Sequence, residues 1–502
     1  MSKKIMVQKL FIICVCLTAV CGSVFADAIE PNWVARHNGS ANNSDYTSDI
    51  AVDSNGNVVV SGYVKTINSN YDFATIKYSP QGSVLWTRIF NRNNTDNDYA
   101  MACAIDSNNN VFSAGYSYLS TTGYDGVIVK YNPAGTLLWS KSYDLTINDR
   151  FYDAATDASG NIYAVGKANE DCLIIKCGPD SSTVWTRIYN GPANGFDALY
   201  KIAVDDAGNV YACGESEGIC LVMKYSADGT MLWAKNFDGG VYQSGWLADI
   251  AVDFSGNAYA TGSVGTATDL EYITIKYASD GTMLWATSFG LEFADDEAYA
   301  IALCADGNAV VTGYSAIAGD TDAVTIKYNS ETGGEMWTEF YDGQSSGDDF
   351  GAAIATDALG FIYVHGASVE NTTSDYLTIC YDTDGAMQWQ TNYDGPAGLS
   401  DIGQAMAFDD GKLYVTGYSQ SAASNYDFAT LKYTLYEAVP PEPCPQAPAG
   451  DLNGDCKVNF NDIVVFADGF TGVQSDYLTL EDIADTWLDC GLSNQGDCWP
   501  IE

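Results

Sequence analysis

Between Asp253 and Trp285 the chain runs through a fixed order of polar and apolar positions. An Asp-x-x-Gly-Asn turn leads into an alternating apolar run, then a carboxylate, then Thr-Ile-Lys-Tyr, and finally Gly-x-x-x-Trp. Side chains two apart along a strand share a face, so each alternating run predicts a half-buried strand, and the Gly- and Asn-rich punctuation predicts hairpin turns between strands. The phrase recurs along the chain, and its clearest marker is tryptophan: Trp33, Trp86, Trp139, Trp185, Trp233, Trp285, Trp337 and Trp389 are spaced 46 to 53 residues apart. That period is the length of one four-stranded propeller blade.

The two ends of the array complement each other. Trp33 has no Lys-Tyr strand before it, and the final unit reaches Lys432-Tyr433 with no tryptophan after it. The reading is an all-β, eight-bladed propeller over residues 29–434, with seven blades as the alternative count. Its last blade is shared between the strand 32–38 and the unit 407–433. Closure of this kind removes the free sheet edges that invite pairing with other chains.

Within the repeat, Asp53–Asn57, Asp157–Asn161, Asp205–Asn209 and Asp253–Asn257 read as hairpin turns in which Asp holds backbone amides. The tryptophan is expected to lie flat between blades, its indole N–H on a carbonyl. Two carboxylate positions recur as well. One precedes the first strand of each blade: Asp45, Asp98, Asp149, Asp197, Asp296, Asp349 and Asp401. The other precedes the third: Asp72, Asp125, Asp171, Glu271, Asp322, Asp375 and Asp427. Both loops open on the same face, which predicts an acidic mouth. Recurrence in nearly every blade favours turn capping, with cation binding as the competing reading. A recurring third-strand lysine, including Lys77, Lys176 and Lys327, is expected to pair with nearby acids. The loops after the second strands vary most; Asn68, Ser69 and Asn70 in one, and Tyr118 and Tyr124 in another, suit stacking on and hydrogen bonding to a glycan.

A formal charge of -43 excludes a nucleic-acid surface and argues against polyanionic partners. Residues 1–26 have the layout of a secretory signal, with Lys3, Lys4 and Lys9, an apolar core, and Val24-Phe25-Ala26. The mature chain is therefore expected outside the cell or at its surface, with no membrane span. Seven cysteines fall in the propeller, where free thiols suit their strand positions as well as bridges do. The histidines are His37 and His365, and no motif nominates a catalytic residue.

The repeats stop near Tyr433, and the proline-rich stretch 435–449 reads as a linker. Beyond it Asp451, Asn453, Asp455, Asn459 and Asp462 stand at positions 1, 3, 5, 9 and 12 of a loop, with the Lys457 carbonyl due at position 7. Hard oxygen ligands at that spacing wrap Ca2+, and Ile463-Val464-Val465-Phe466 suits a helix after the loop. Residues 450–502 resemble a type I dockerin, which implies a small α-helical calcium-loop domain and a cohesin-like or cell-surface protein as partner. Cys456 replaces the usual Gly, and the second loop, about 471–482, lacks its early ligands, which argues against a second calcium and against dual-mode binding.

The propeller phrases Asp-x-x-Gly-Asn-x-Tyr-x-x-Gly and Thr-Ile-Lys-Tyr resemble the secreted bacterial β-propeller repeat family, SBBP. Thr332-Gly333-Gly334-Glu335-Met336-Trp337 is also similar to the docking motif of pyrroloquinoline quinone dehydrogenases, although the adjacent Cys-Cys pair of such enzymes does not occur. Together these resemblances imply a secreted, non-catalytic binding or scaffold protein in a polysaccharide-degradation setting. The alternative is a propeller enzyme, either a carbohydrate-active hydrolase or lyase or a quinoprotein dehydrogenase.

Overall fold

The computed structural model describes residues 29–435, apart from 68–69, 94, 241, 243, 266–268, 292–293, 318, 344–346, 371 and 424 within loops. The chain divides into two units, Met1–Leu435 and Tyr436–Glu502. The signal segment 1–26, nearly all of the linker and the loop from Asp451 to Asp462 lie outside the described residues.

The described residues form eight four-stranded antiparallel sheets. Seven are continuous in sequence, spanning 46–90, 98–143, 149–189, 197–237, 244–289, 296–341 and 350–393, and are called blades 1 to 7 below. Blade 8 consists of Asp401–Asp409, Lys412–Gln420 and Tyr426–Thr434, with Trp33–His37 as its outer strand. The register pairs Trp33 with Lys432 and His37 with Phe428. The terminal strand thus closes the ring as expected, although blade 8 begins at Asp401, six residues earlier than the apolar run starting at Ala407 suggests.

The first strand of every blade contacts the first strands of both neighbours, which makes the first strands the innermost ring, around a central channel. The core lies between blades. One cluster joins Val58, Val60 and Tyr78 of blade 1 to Tyr414 and Phe428 of blade 8, and seven similar clusters are described.

Two glycine positions shape this architecture. In each second strand a glycine faces a bulge in the first strand; a Cβ on Gly62 would lie 2.2 Å from the Tyr46 carbonyl oxygen, and one on Gly313 would lie 1.9 Å from that of Glu297. Only glycine allows that approach, and the bulge beside it turns the following residue toward the channel. The glycine of Gly-x-x-x-Trp sits at positive φ with the preceding blade's indole flat against it. Gly281, at φ 82, would place a Cβ 2.7 Å from Trp233.

Candidate functional site

The acidic and basic positions of the repeat resolve into inter-blade fasteners. Asp53 Oδ1 accepts the backbone N–H of Asn55 and of Asn57, while Lys77 Nζ lies 2.7 Å from Asp53 Oδ2. Lys327 meets Asp306 at 2.8 Å, and Lys130 and Lys176 meet Asp106 and Asp157 at 3.3 and 3.4 Å. Lysines at this position also reach across to the next blade. Lys224 Nζ and Trp233 Nε1 both donate to the Ser279 carbonyl, and Lys276 and Trp285 share that of Ser330 in the same way. The hairpin carboxylates are thus engaged by backbone and side-chain amides and, in four blades, by an ammonium group, which is the turn-capping role.

The carboxylates before the first strands are buried turn caps. Asp45 accepts Lys65 N at 2.7 Å, Asp149 accepts Leu145 N and Thr146 N at 2.6 and 2.8 Å, and Asp197 accepts Gly191 N at 2.7 Å. The ring brings each against the second recurring carboxylate of the preceding blade. Asp125, Asp144 and Asp149 gather with one oxygen apiece within 4.8 Å, and Asp375, Asp394 and Asp401 repeat the arrangement. Arg92 contacts Asp125 in the first group. In the corresponding set, Asp322 is pushed up to about 6, by burial first and then by Asp342, Asp320 and Asp349. Burial likewise carries Asp45 and Asp98 to about 6.

The channel holds a group that the repeat pattern hides. At the bulge position, where blades 2, 6, 7 and 8 carry Ala102, Ala300, Ala353 and Ala405, blades 1, 3 and 5 carry Asp49, Asp153 and Asp249, and blade 4 carries Lys201. Each carboxylate ties its blade to the next by accepting an amide: Cys103 N to Asp49 at 2.8 Å, Ile202 N to Asp153 at 3.0 Å, and Ile301 N to Asp249 at 2.9 Å. Lys201 Nζ lies 3.8 Å from Asp153 and keeps 43% of its side chain exposed. Burial pushes Asp49 up to about 6 against the opposing pull of Lys201, and Asp153 raises Lys201. Alignment of the repeats shows the signal, because a position that is Ala in four blades is charged in the other four.

Above this group, at the face where the first strands begin, tyrosines line the mouth. Tyr418, Tyr46, Tyr63, Tyr99, Tyr116, Tyr124 and Tyr118 follow one another around blades 8, 1 and 2 with ring centroids 5.1–5.4 Å apart along most steps and 5.0 Å between Tyr63 and Tyr99. Tyr426 and Tyr71 pack alongside. All are partly exposed. Burial raises the phenols of Tyr63, Tyr71, Tyr99 and Tyr116, so they remain neutral donors and acceptors at physiological pH. Edge-to-face packing explains how the rings hold one another in place.

Of the loop residues singled out above, Tyr118 and Tyr124 belong to this arc. Asn70 does not act as a free amide; its Nδ2 donates to Asp72 at 2.9 Å and to the Asp96 carbonyl at 2.6 Å. Asn68 and Ser69 lie outside the described residues. Most of the arc escaped the sequence reading because Tyr46 and Tyr99 merely follow the recurring Asp45 and Asp98, and the residue after that carboxylate differs from blade to blade. His365 is fully buried, with Nδ1 3.0 Å from the Leu377 carbonyl, and burial lowers it to about 4. It packs edge-on against Tyr376, with ring centroids 5.3 Å apart. The seven propeller cysteines are free and buried.

Residues 221–452, just under half of the chain, match the family described as Outer membrane protein assembly factor BamB, which supports repeats of that type. No curated protein matches. Solved structures that align with this chain include Sqt1 from Chaetomium thermophilum, at 12% identity and TM-score 0.49, with 81% of this chain and 98% of that chain covered. They also include a protein of unknown function from Bacteroides caccae, at 14% identity and TM-score 0.34, with 58% and 98% covered. A puromycin hydrolase aligns at 11% identity and TM-score 0.42, covering 64% of this chain and 52% of its own. No function transfers from likenesses this distant.

Proposed function

Starting from an eight-bladed propeller with BamB-type repeats in its second half, we propose that this chain is a non-catalytic binding module that takes a saccharide on its tyrosine-lined channel mouth. The observation that carries the reading is the continuous arc from Tyr418 to Tyr118. Partly exposed rings held by their neighbours offer apolar faces to sugar C–H groups, and their hydroxyls offer hydrogen bonds to sugar hydroxyls. Rings already locked together lose little freedom on binding, which favours affinity.

The proposal extends to the ends of the chain. Residues 1–26 direct export, and residues 450–502 form a dockerin-like domain. Asp451, Asn453, Asp455, Asn459, Asp462 and the Lys457 carbonyl of this domain bind Ca2+ and dock the propeller on a cohesin-like or cell-surface protein in a polysaccharide-degrading assembly. The ligand spacing in the sequence supports this part.

The test is a glycan array and a cell-surface pull-down with the mature protein, in calcium and then in chelator. Glycan binding that survives chelation together with protein capture that does not would support both halves. Absence of any glycan signal from the intact protein would overturn the saccharide reading. Turnover of a bound glycan would replace the binding module with an enzyme.

A further inference from the structure

At the end of the tyrosine arc blade 3 departs from every other blade. Arg150 on its first strand pairs directly across the sheet with Lys167 on its second. Elsewhere this pair is aromatic, apolar or acidic, as in Tyr46 with Tyr63, Ala198 with Glu215, and Glu297 with Tyr314. Two like charges directly opposite each other destabilise a sheet. A chain of net charge -43 has little need to place its scarce cations so.

Among the described residues neither cation has a carboxylate within ion-pair distance; Lys77, Lys130, Lys176 and Lys327 do, while Lys224, Lys276 and Lys432 instead donate to backbone carbonyls of the next blade. The Arg150 guanidinium lies over the rings of Tyr124 and Tyr116, 4.1 and 4.9 Å from their centroids, and its Nε donates to Asn148 Oδ1 at 3.0 Å. A guanidinium stacked on aromatic faces keeps its planar N–H edge available for an oxyanion. Lys167 Nζ stands 4.8 Å from the centroid of Phe196, an exposed ring. Burial and the neighbouring Arg150 lower Lys167, while Glu170 and Glu215 act the other way. Tyr200 donates to the Glu215 carboxylate.

We infer that Arg150 and Lys167 form an anion subsite at the end of the tyrosine arc, built for the charged substituent of an acidic saccharide. The inference rests on the saccharide reading above and names its ligand class. Tyr116 and Tyr124 are both the last rings of the arc and the platform for Arg150, so a sugar chain on the tyrosines leads directly to the two cations. An acidic peptide would use the cations but leave the arc without a role. The overall negative charge does not forbid this, because at physiological salt the Debye length is about 8 Å and carboxylates farther away are largely screened. Those close by are Glu170 and Glu215 beside Lys167 and the Asp125, Asp144 and Asp149 group, whose Asp149 directly precedes Arg150.

The experiment measures binding of oligogalacturonate, its fully methyl-esterified counterpart, a sulfated galactan oligomer and a Glu-rich peptide to the full-length protein, and repeats it with Arg150→Gln, Lys167→Gln and the double variant. The acidic oligomers should bind at least about tenfold more tightly than the ester, and the double variant should lose that preference while keeping ester affinity. Its melting temperature should equal or exceed that of the parent, because a like-charge pair has been removed. Preference for carboxylate or for sulfate identifies the substituent. Equal binding of acid and ester, or a preference that survives the double substitution, overturns the subsite and leaves the saccharide reading standing. Failure of every oligomer to bind also overturns the subsite, and the saccharide reading then falls only if the glycan array is blank as well. Displacement of oligogalacturonate by a more tightly held peptide overturns the saccharide as occupant.

Discussion

Trp33 and Lys432, from opposite ends of the propeller, pair across the closing sheet of blade 8 and donate to the same acceptor, the Pro80 carbonyl of blade 1, at 3.1 and 3.0 Å. One carbonyl thus receives the N-terminal strand, the C-terminal strand and the seam between first and last blades. The repeat uses the same clasp elsewhere, as at Ser279 and Ser330. At those two the donors come from consecutive strands joined by a hairpin, whereas at the closing seam they come from strands at opposite ends of the propeller that must find each other.

Removal of residues 27–40 should therefore open the ring. It exposes the edge of Tyr426–Thr434 and uncovers the cluster of Val58, Tyr78 and Tyr414. A marked fall in melting temperature is expected, and Trp33→Ala alone should cost on the order of 3 kcal/mol. An unchanged melting curve for the truncated chain would show that the strand does not hold the ring.

Gly281→Ala should destabilise by about 1–3 kcal/mol, since a Cβ there meets Trp233 at 2.7 Å and φ is 82. Ser181 takes the equivalent place before Trp185 at φ 73, where glycine is better suited. Ser181→Gly should thus stabilise by a few tenths to about 1 kcal/mol. Urea titration of both variants checks the pair, and destabilisation by Ser181→Gly would count against the strain argument.

Stability should rise as pH falls from 8 to 5. Asp45 and Asp98 sit at about 6 in the fold, chiefly through burial, against an ordinary value of 3.8. The folded state binds protons more readily than the unfolded chain, so their contribution is full below about 4 and is lost as pH rises through 6. Asp53 and Asp157 run the other way. Despite burial, hydrogen bonds from Lys77 and Asn57, and from Asn161, hold them low, so their contribution disappears as pH falls below the ordinary value. The melting temperature should peak between about pH 4 and 6. A monotonic fall from pH 8 downward would refute this balance.

Lys201→Met should destabilise more at pH 8 than at pH 5, because Asp49, Asp153 and Asp249 lose an opposing charge that matters only while they are ionised. Thermal melts at the two pH values separate this from simple loss of packing, which would cost the same at both.

For the tail, full-length protein carrying Asp451→Asn and Asp455→Asn should lose the calcium-binding heat of the parent. Calorimetric titration reads this directly, and an isotherm identical to the parent's would exclude the loop as the ligand set.

The sequence by itself determined the blade, the number of blades and the way the ring closes. These follow from local rules repeated eight times: alternation for strands, Asp and Gly for turns, and Trp33 and Lys432 as complementary ends. It also marked both carboxylate rings, because recurrence makes such positions visible. The same logic hid the sites that differ between blades. Asp49, Asp153, Asp249 and Lys201 are far apart in sequence and meet only because the ring turns four first strands toward one channel. Tyr46 and Tyr99 read as ordinary strand residues until closure sets Tyr46 beside Tyr418 and Tyr63 beside Tyr99, and Arg150 and Lys167 become a charged pair only through cross-strand register. Local propensity specifies what every blade shares, whereas a site composed of single residues from several blades exists only once the circle is complete.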